Sequence, residues 1–297
     1  MAGRTREWIQ FNVALARRDG SALSSARYVL RELEGIGARE VRRPASFFFQ
    51  RKPPDLRLRF FDVREHLVRR LRPLISRAKS EGHIVRSFHG VYEPEYRQFG
   101  GHECMRSVHA FWSTDSLAWI AMDRLCEKNV FTIPHATLIA SVLDDLFWRV
   151  LTDAGEVWDT WCNLATVLQA EAGTDDGAAP PPSLDTIRGS ASPDEADIVG
   201  RYQQANSALA DGFSRAWQLG RMECGVRSIL PYVALFTLNR HGFDQARAAA
   251  IAGTMAVARN PKQHLRGAQP DRRMAGAGRS EERSGMHRSS TRMRVDD

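Results

Sequence analysis

The chain has 297 residues, which is enough for a sizeable core in one or two domains. Hydrophobic residues make up 43% of it and aromatic residues 9%, as is typical of a globular protein, and no segment approaches the roughly 20 apolar residues of a membrane helix. The net charge is +7, but residues 259–297 hold ten Lys or Arg against five Asp or Glu. The excess charge therefore lies mainly in this tail and does not predict nucleic-acid binding by the rest of the chain.

Neither the N-terminus nor the cysteines indicate secretion. The first twelve residues contain no apolar run of the kind found in a secretory signal, which predicts a cytoplasmic protein. The four cysteines are scattered and form no C-x-x-C pair, so we expect reduced thiols. His102 and Cys104 are too isolated to predict a zinc site, and we expect no metal and no other cofactor.

The first hundred residues alternate between strand and helix patterns. Period-two alternation predicts strands, and apolar residues at helical spacing predict helices. The predicted strands cover residues 8–15, the segment from 47, 56–61 and 84–92, and the predicted helices cover 21–33, stopped by Gly35 and Gly37, and 64–78. This β-α-β-β-α-β order predicts a ferredoxin-like antiparallel sheet with both helices on one face.

After residue 100 the pattern becomes helical. Thr114, Asp115 and Ser116 resemble a helix break followed by a new N-cap. The segment 171–195 is rich in Ala, Gly, Pro, Ser and Asp and is predicted to be a mobile loop. The predicted fold class is therefore α+β. Its three parts are a ferredoxin-like half at 1–100, a helical half at 101–258 and a disordered basic tail at 259–297.

Polar side chains concentrate between the fourth predicted strand and the next helix. Glu93 and Glu95 flank a proline, Tyr92 ends the strand, and His109 follows the Gly-Gly turn. A carboxylate here could act as acid or base, or could simply pair with an arginine of the sheet. His109 shares a helical stripe with apolar residues, so a core histidine is the simpler interpretation.

Two further groups could line a junction between the halves. Arg57 and Arg59 lie on one face of a strand, about 7 Å apart, where they would suit an anionic or carbonyl-rich peptide. Asn239 and Arg240 end an apolar helix, which usually indicates a hydrogen-bonded anchor. The chain has no G-x-S-x-G, Walker A or Rossmann motif.

Four segments carry a resemblance to a known family. They are FFFQRKPPDLRLRF (47–60), YEPEYRQFGG (92–101), HAFWSTDS (109–116) and LNRHG (238–242). Together they resemble the thiopeptide-type bacteriocin biosynthesis family, which is homologous to the small elimination domain of class I lantibiotic dehydratases. The resemblance covers residues 6–258 and implies activity on a ribosomally made precursor peptide that bears a leader.

The family holds two activities. One is elimination of glutamate from glutamylated Ser or Thr, and the other is the formal [4+2] cycloaddition of two dehydroalanines into a six-membered nitrogen heterocycle. Eliminating members carry an arginine where this chain has Gln98, and a histidine within the segment that matches 235–238, which here has none. These departures favour a cyclase (pyridine synthase) over an eliminating subunit. A non-catalytic precursor-binding partner is the third alternative.

The resemblance also implies roles for individual residues. The residues expected to position the substrate and move protons are Tyr92, Glu93, Glu95, His109, Ser228 and Tyr232. The residues expected to bind the substrate are Arg57, Arg59, Gln98, Asp115, Ser116, Asn239 and Arg240. We expect the leader to bind the N-terminal βα segment, with strand addition to a sheet edge as the mode of binding. Other enzymes of the pathway are further possible partners, nucleic acid and membrane are not expected ones, and the chain is expected to be a monomer or a homodimer.

Overall fold

The computed structural model describes residues 7–18, 20–38, 46–62, 64–170 and 178–262. The elements in these ranges are β1 (Glu7–Leu15), α1 (Leu23–Ala38), β2 (Ser46–Lys52), β3 (Asp55–Asp62), α2 (Arg64–Ser80), β4 (Ile84–Gly90), α3 (His102–Glu127), α4 (His135–Leu151), α5 (Ala154–Val167), α6 (Leu184–Ser190), α7 (Pro193–Gln218), α8 (Val226–Arg240) and α9 (Gln245–Ala258). The chain divides into a compact unit at Met1–Pro261 and a second unit at Lys262–Asp297. Apart from residues 259–262, the predicted disordered tail lies outside the described residues.

The four strands form one antiparallel sheet in the order β2-β3-β1-β4. This is the ferredoxin-like order expected from the sequence, and it confirms the α+β class. The pairing of Phe11 with Leu58 on one side and His89 on the other fixes the register of β1. Because side chains alternate along a strand, this register puts Ile9, Phe11 and Leu58 on the same face of the sheet. Helix α2 packs on β3 and β4 at this face.

The opposite face of the sheet meets the helical half of the protein. Helix α3 packs against β2, and its buried Trp112 ring lies 5.3 Å from the ring of Phe48. Helix α8 also contacts β2 and α3, so the edge strand β2 joins the two halves. The polar groups that the sequence places on this face are therefore enclosed between sheet and helices.

Three predictions of local structure were wrong. Helix α1 continues through Gly35 and Gly37 to Ala38, because its packing against α2 and α3 outweighs a glycine cost of about 1 kcal/mol each. Helix α3 runs unbroken through Asp115 and Ser116, which find partners inside the protein instead of capping a new helix. The predicted loop at 171–195 contains α6 and the start of α7, while residues 171–177 lie outside the described part.

Membrane-spanning helices and metal-ligand clusters are both absent from the residues that the structure describes. No helix in the described ranges is both long enough and apolar enough to cross a lipid bilayer. No group of three or more His, Cys, Asp or Glu side chains within those ranges has the arrangement needed to hold a metal ion.

Candidate functional site

Side chains from β1, β2, β3, α3 and the segment that follows β4 meet where the sheet faces the helices. We call this group the junction cluster; it consists of Trp8, Phe48, Arg59, Tyr92 and His109. The imidazole of His109 lies 4.3 Å from the Trp8 ring and 5.5 Å from the Phe48 ring, and the Tyr92 ring lies 5.6 Å from Trp8, measured between centroids. The junction cluster thus places the cation of Arg59, the phenol of Tyr92 and the imidazole of His109 beside the rings of Trp8 and Phe48.

Tyr92 and His109 form a hydrogen-bonded pair. The Tyr92 hydroxyl lies 2.7 Å from Nε2 of His109. Burial and, to a smaller extent, the nearby Arg59 charge together lower the pKa of His109 to about 3. Burial also raises the pKa of Tyr92. At neutral pH the phenol and the imidazole are both uncharged, so one can donate a proton while the other accepts one.

Arg59 is held in place by neutral partners. Its Nε donates to Oε1 of Gln10 over 2.8 Å, and its Nη1 donates to Oε1 of Gln50 over 2.9 Å. The guanidinium carbon lies 4.1 Å from the centroid of the Tyr92 ring. Burial lowers the pKa of Arg59 to about 10, so it still carries its charge at neutral pH. Since Gln10 and Gln50 are uncharged, a fixed positive charge remains for a carbonyl or anionic group of a ligand.

More charged groups surround Arg59 toward solvent. The Lys52 ammonium lies 5.0 Å from the centroid of the Phe236 ring, and burial lowers the pKa of Lys52. Arg57 is half-buried and donates from Nε to the Pro53 carbonyl over 3.4 Å. Glu95 is exposed, and its charge acts on Lys52, Arg59 and Tyr92. The structure therefore brings Arg57, Arg59 and Glu95 together with the Tyr92–His109 pair.

Other predicted site residues lie farther out. Glu93 is exposed and Gln98 is half-buried. Ser228 is exposed on the first turn of α8, and Tyr232 is half-buried against the core one turn later. Ser228, Tyr232 and Phe236 follow at intervals of four, which places them on one stripe of α8. This stripe leads toward Lys52, which contacts Phe236.

The remaining predicted substrate-binding residues form a buried anchor. The side chains of Asp115 and Arg240 have no exposed surface and form an ion pair with each other. The second carboxylate oxygen of Asp115 lies 2.9 Å from Nε2 of His241 and accepts from the Tyr202 hydroxyl over 2.8 Å. Burial alone would raise the pKa of Asp115, but Arg240 and then His241 bring it below its usual value. Asp115 and Arg240 thus join α3 to the end of α8 and present no surface to a peptide.

Side chains of α3 and α8 also close the outer edge of β2. The amide of Phe49 donates to Oγ of Ser116 over 3.3 Å, and the Phe49 carbonyl accepts from Nε of Arg240 over 3.0 Å. Asn239 does the same for Arg51, accepting from its amide over 3.1 Å and donating to its carbonyl over 2.9 Å. These four bonds replace the neighbouring strand that β2 lacks on this side. Asn239 is therefore an anchor, as the sequence pattern suggested.

Several residues that complete these networks were not predicted as site residues. Gln10 and Gln50 are the hydrogen-bond partners of Arg59. Gln10 pairs directly with Arg59 and Gln50 pairs with Arg57 on the same face, and these positions follow only once the strand register is known. Tyr202 and His135 extend the Asp115 network, with Nε2 of His135 lying 2.9 Å from Nδ1 of His241. Each occurs in an ordinary helical pattern, far along the chain from its partner, so no local signal identifies it.

Comparison with known proteins gave one family and one solved structure of interest. Residues 8–258 match the family model described as lantibiotic biosynthesis dehydratase C-term. A search among curated protein sequences gave no match. The crystal structure of the tRNA dependent lantibiotic dehydratase MibB from Microbispora sp. 107891 matches with a TM-score of 0.62 and 16% identity over 90% of this chain. The match covers 29% of that protein's chain, and at this identity it shows a shared fold.

Proposed function

The chain belongs to the lantibiotic biosynthesis dehydratase C-terminal family, and from this premise we propose that it is an enzyme that modifies a leader-bearing ribosomal peptide. The proposed reaction is the formal [4+2] cycloaddition of two dehydroalanines in that peptide. The observation that carries this proposal is the uncharged Tyr92–His109 pair beside the fixed charge of Arg59.

The first chemical requirement is a change of tautomer. One dehydroalanine must become the diene, which requires its amide to lose the N–H proton and gain a proton on the carbonyl oxygen. The imidazole of His109 can accept a proton while the Tyr92 hydroxyl donates one, so the pair can complete the exchange without creating charge. The guanidinium of Arg59 would stabilise negative charge that develops on the amide oxygen.

The second requirement is proximity. The C=C–N=C unit of the tautomer reacts with the C=C of the other dehydroalanine, so that two carbon–carbon bonds form and a six-membered ring closes. The hydroxyl of the tautomer then leaves as water, and in the aromatising case the leader leaves as an amide. Holding the two alkenes together supplies much of the rate in such a reaction. The stripe of Ser228, Tyr232 and Phe236 on α8 is the surface we expect to guide the peptide to Lys52 and Arg59.

Glutamate elimination is the second candidate. The cations Lys52, Arg57 and Arg59 favour it, because a departing glutamate carries negative charge that they could stabilise. The reaction also needs a base strong enough to remove a proton from an α-carbon. His109, whose pKa is about 3, is too weak a base to remove such a proton alone, whereas in the tautomer exchange Tyr92 donates a proton to the same amide at the same time. Residues 235–238 contain no histidine to replace it. The cycloaddition therefore fits the site better.

Mass spectrometry of the purified protein with two peptides distinguishes these reactions. The first peptide carries a leader, azoles and two dehydroalanines, and the second is its glutamylated precursor. We expect loss of water from the first peptide, accompanied by loss of the leader if the ring aromatises. Loss of glutamate from the second peptide would establish elimination instead. No change in either peptide, with binding retained, would contradict both and leave a precursor-binding partner.

A further inference from the structure

The two edges of the sheet differ in how they are protected. The outer edge of β2 is closed by Ser116, Asn239 and Arg240, as described above. Strand β4 forms the other edge, and among the described residues no strand pairs with its outer side. A sheet edge of this kind presents backbone donors and acceptors to which another extended chain can add.

The open edge is also unusually apolar. Val85 and Phe88 of β4 and Val91 just beyond it are 71%, 42% and 82% exposed, although large apolar residues are mostly buried in the described part of the chain. Proteins commonly protect an open edge with a proline, a bulge or a lysine. Ile84–Gly90 contains neither proline nor lysine, and its pairing with β1 is irregular only near its start, where the register shifts between Arg86 and Ile84. The only cation on this strand, Arg86, lies with its guanidinium carbon 5.2 Å from the centroid of the Phe88 ring.

A groove runs along this edge on the helix-covered face. It lies between α2 and β4 and has a volume of about 330 Å³. Its floor is apolar, formed by Phe11 of β1 and by Val68, Leu71 and Ile75 of α2. A strand added to β4 would direct every second side chain into this groove, at a spacing of about 7 Å. The groove therefore suits a chain in which apolar residues alternate with others.

The charges around the groove indicate which residues should alternate with the apolar ones in a bound chain. Arg72 and Lys79 line the groove, both are exposed, and no carboxylate is among the lining residues. Arg72 and Lys79 form no ion pair within the described part of the chain, whereas Arg77 on the same helix pairs with Glu32. Two unpaired cations of α2 beside an open strand complement an acidic partner.

We propose that β4 and the α2 groove bind an extended, acidic segment of the substrate peptide as a fifth strand of the sheet. Its apolar side chains fill the floor formed by Phe11, Val68 and Ile75, and its carboxylates pair with Arg72 and Lys79. This inference rests on the proposed function only in naming the bound chain as the substrate peptide. The binding surface itself is inferred independently of that function. The segment docks away from the junction cluster, so it would raise the local concentration of the reacting part of the same peptide.

The test uses a synthetic probe that cannot react. The probe is a fluorescein-labelled peptide of about eight residues, long enough to span β4, in which Val alternates with Glu. Its binding to the full chain is measured by fluorescence anisotropy. The variant Arg72→Glu/Lys79→Glu should weaken binding about tenfold or more, because two attractive pairs become repulsive. The matched control Lys128→Glu/Arg215→Glu makes the same change of net charge on exposed residues of other elements and should have less than about a twofold effect.

Two further measurements separate strand addition from simple charge attraction. A probe of the same sequence with alternate backbone amides methylated keeps its charge but cannot pair with β4, and it should bind about tenfold more weakly. Hydrogen exchange of residues 84–90 should slow when the unmethylated probe is bound. Equal binding of both probes, or equal loss of affinity in both double variants, overturns the inference.

Failure of this inference and failure of the proposed function give different results. The probe contains no dehydroalanine, so its binding is independent of any reaction. If the Arg72→Glu/Lys79→Glu variant binds the probe as wild type does while the wild-type chain converts the bis-dehydroalanine peptide, only the docking inference is lost. If the probe binds as expected while no peptide is converted, the proposed function is lost and the docking surface remains.

Discussion

At the scale of single residues, the proposed proton exchange rests on two side chains that are neutral for the same reason. Burial against Trp8 and Phe48 disfavours the charged form of His109 as well as that of Tyr92. A charged pair in the same place would need nearby groups of opposite charge. Arg59 is itself a cation, so it would repel an imidazolium and could not stabilise it. Two neutral partners at this place suit the proposed exchange of a proton better than they would suit a buried charged pair.

Replacing Tyr92 by Phe should remove most of the activity without unfolding the protein. The ring stays between Trp8 and Arg59, but the proton donor to His109 is lost, and such donors contribute about 10²–10⁴-fold to a rate. The measurement is the rate of water loss from the bis-dehydroalanine peptide, with a melting curve for folding. Tyr96→Phe is the matched control, since Tyr96 stacks on His102 outside the junction cluster, and it should react at the wild-type rate. A Tyr92→Phe variant as fast as this control would remove Tyr92 from the mechanism.

At the scale of elements, the Gly-Gly turn sets the angle between β4 and α3. Gly100 and Gly101 have φ of 77° and 95°, values that favour glycine. A Cβ on Gly100 would lie 2.6 Å from Cδ1 of the buried Ile229, and a Cβ on Gly101 would lie 2.7 Å from Oε1 of Glu223. The turn is therefore specified by its backbone conformation and by close packing against the start of α8. The Glu223 carboxylate beside it also makes it a poor place for an anion.

Gly100→Ala should destabilise the protein more than Gly20→Ala. Both glycines have nearly the same positive φ, 77° and 76°, but a Cβ at Gly20 would meet nothing within 4 Å. The two variants share the backbone cost of about 1 kcal/mol, and only Gly100→Ala adds a collision worth about 1–3 kcal/mol. Urea unfolding measures the difference in the free energy of unfolding. Equal losses would mean that Ile229 moves aside freely and that packing does not specify the turn.

The anchor between α3 and α8 should behave as one unit. Removing Arg240, as in Arg240→Met, leaves the Asp115 carboxylate buried without its cation and should cost about 3–5 kcal/mol of unfolding free energy. Adding Asp115→Asn to this variant removes the unpaired buried charge. The double variant should therefore lose less unfolding free energy than the sum of the two single losses. Urea unfolding of all four proteins gives the coupling energy. A coupling near zero would show that the ion pair does not hold these helices together.

At the scale of the whole molecule, the sequence predicted the parts whose signal is local. The alternation of apolar and polar residues along the strands predicted the strand order of the sheet correctly. That order puts Arg59 on the face of the sheet that meets the helical half. The positions of Asp115 and Ser116 were misjudged, because residues that usually begin helices are stable within α3 once Arg240 and Phe49 supply distant partners. Tertiary partners of this kind leave no pattern in their own neighbourhood.

Lowering the pH should destabilise the protein even at pH values above those at which carboxylates titrate. Burial lowers the pKa of His109 to about 3, and burial followed by the charge of His241 lowers that of His135 to about 3. In the unfolded chain both return to about 6.5, so between pH 6.5 and 3 the unfolded state binds more protons than the folded state. The free energy of unfolding should therefore fall as pH is lowered, by up to about 1.4 kcal/mol per pH unit for His109 and by less for the partly exposed His135.

Urea unfolding at pH 7, 6 and 5 measures this slope where carboxylates contribute little. His109→Gln and His135→Gln should each flatten it, because each removes one group that gains a proton only on unfolding. His102→Gln, which changes an exposed histidine on the same helix as His109, should leave the slope as in the wild type. Wild-type slopes in both the His109→Gln and His135→Gln variants would mean that these imidazoles are not held neutral by burial. The proton exchange proposed for Tyr92 and His109 would then lose its physical basis, since it requires an uncharged imidazole at neutral pH.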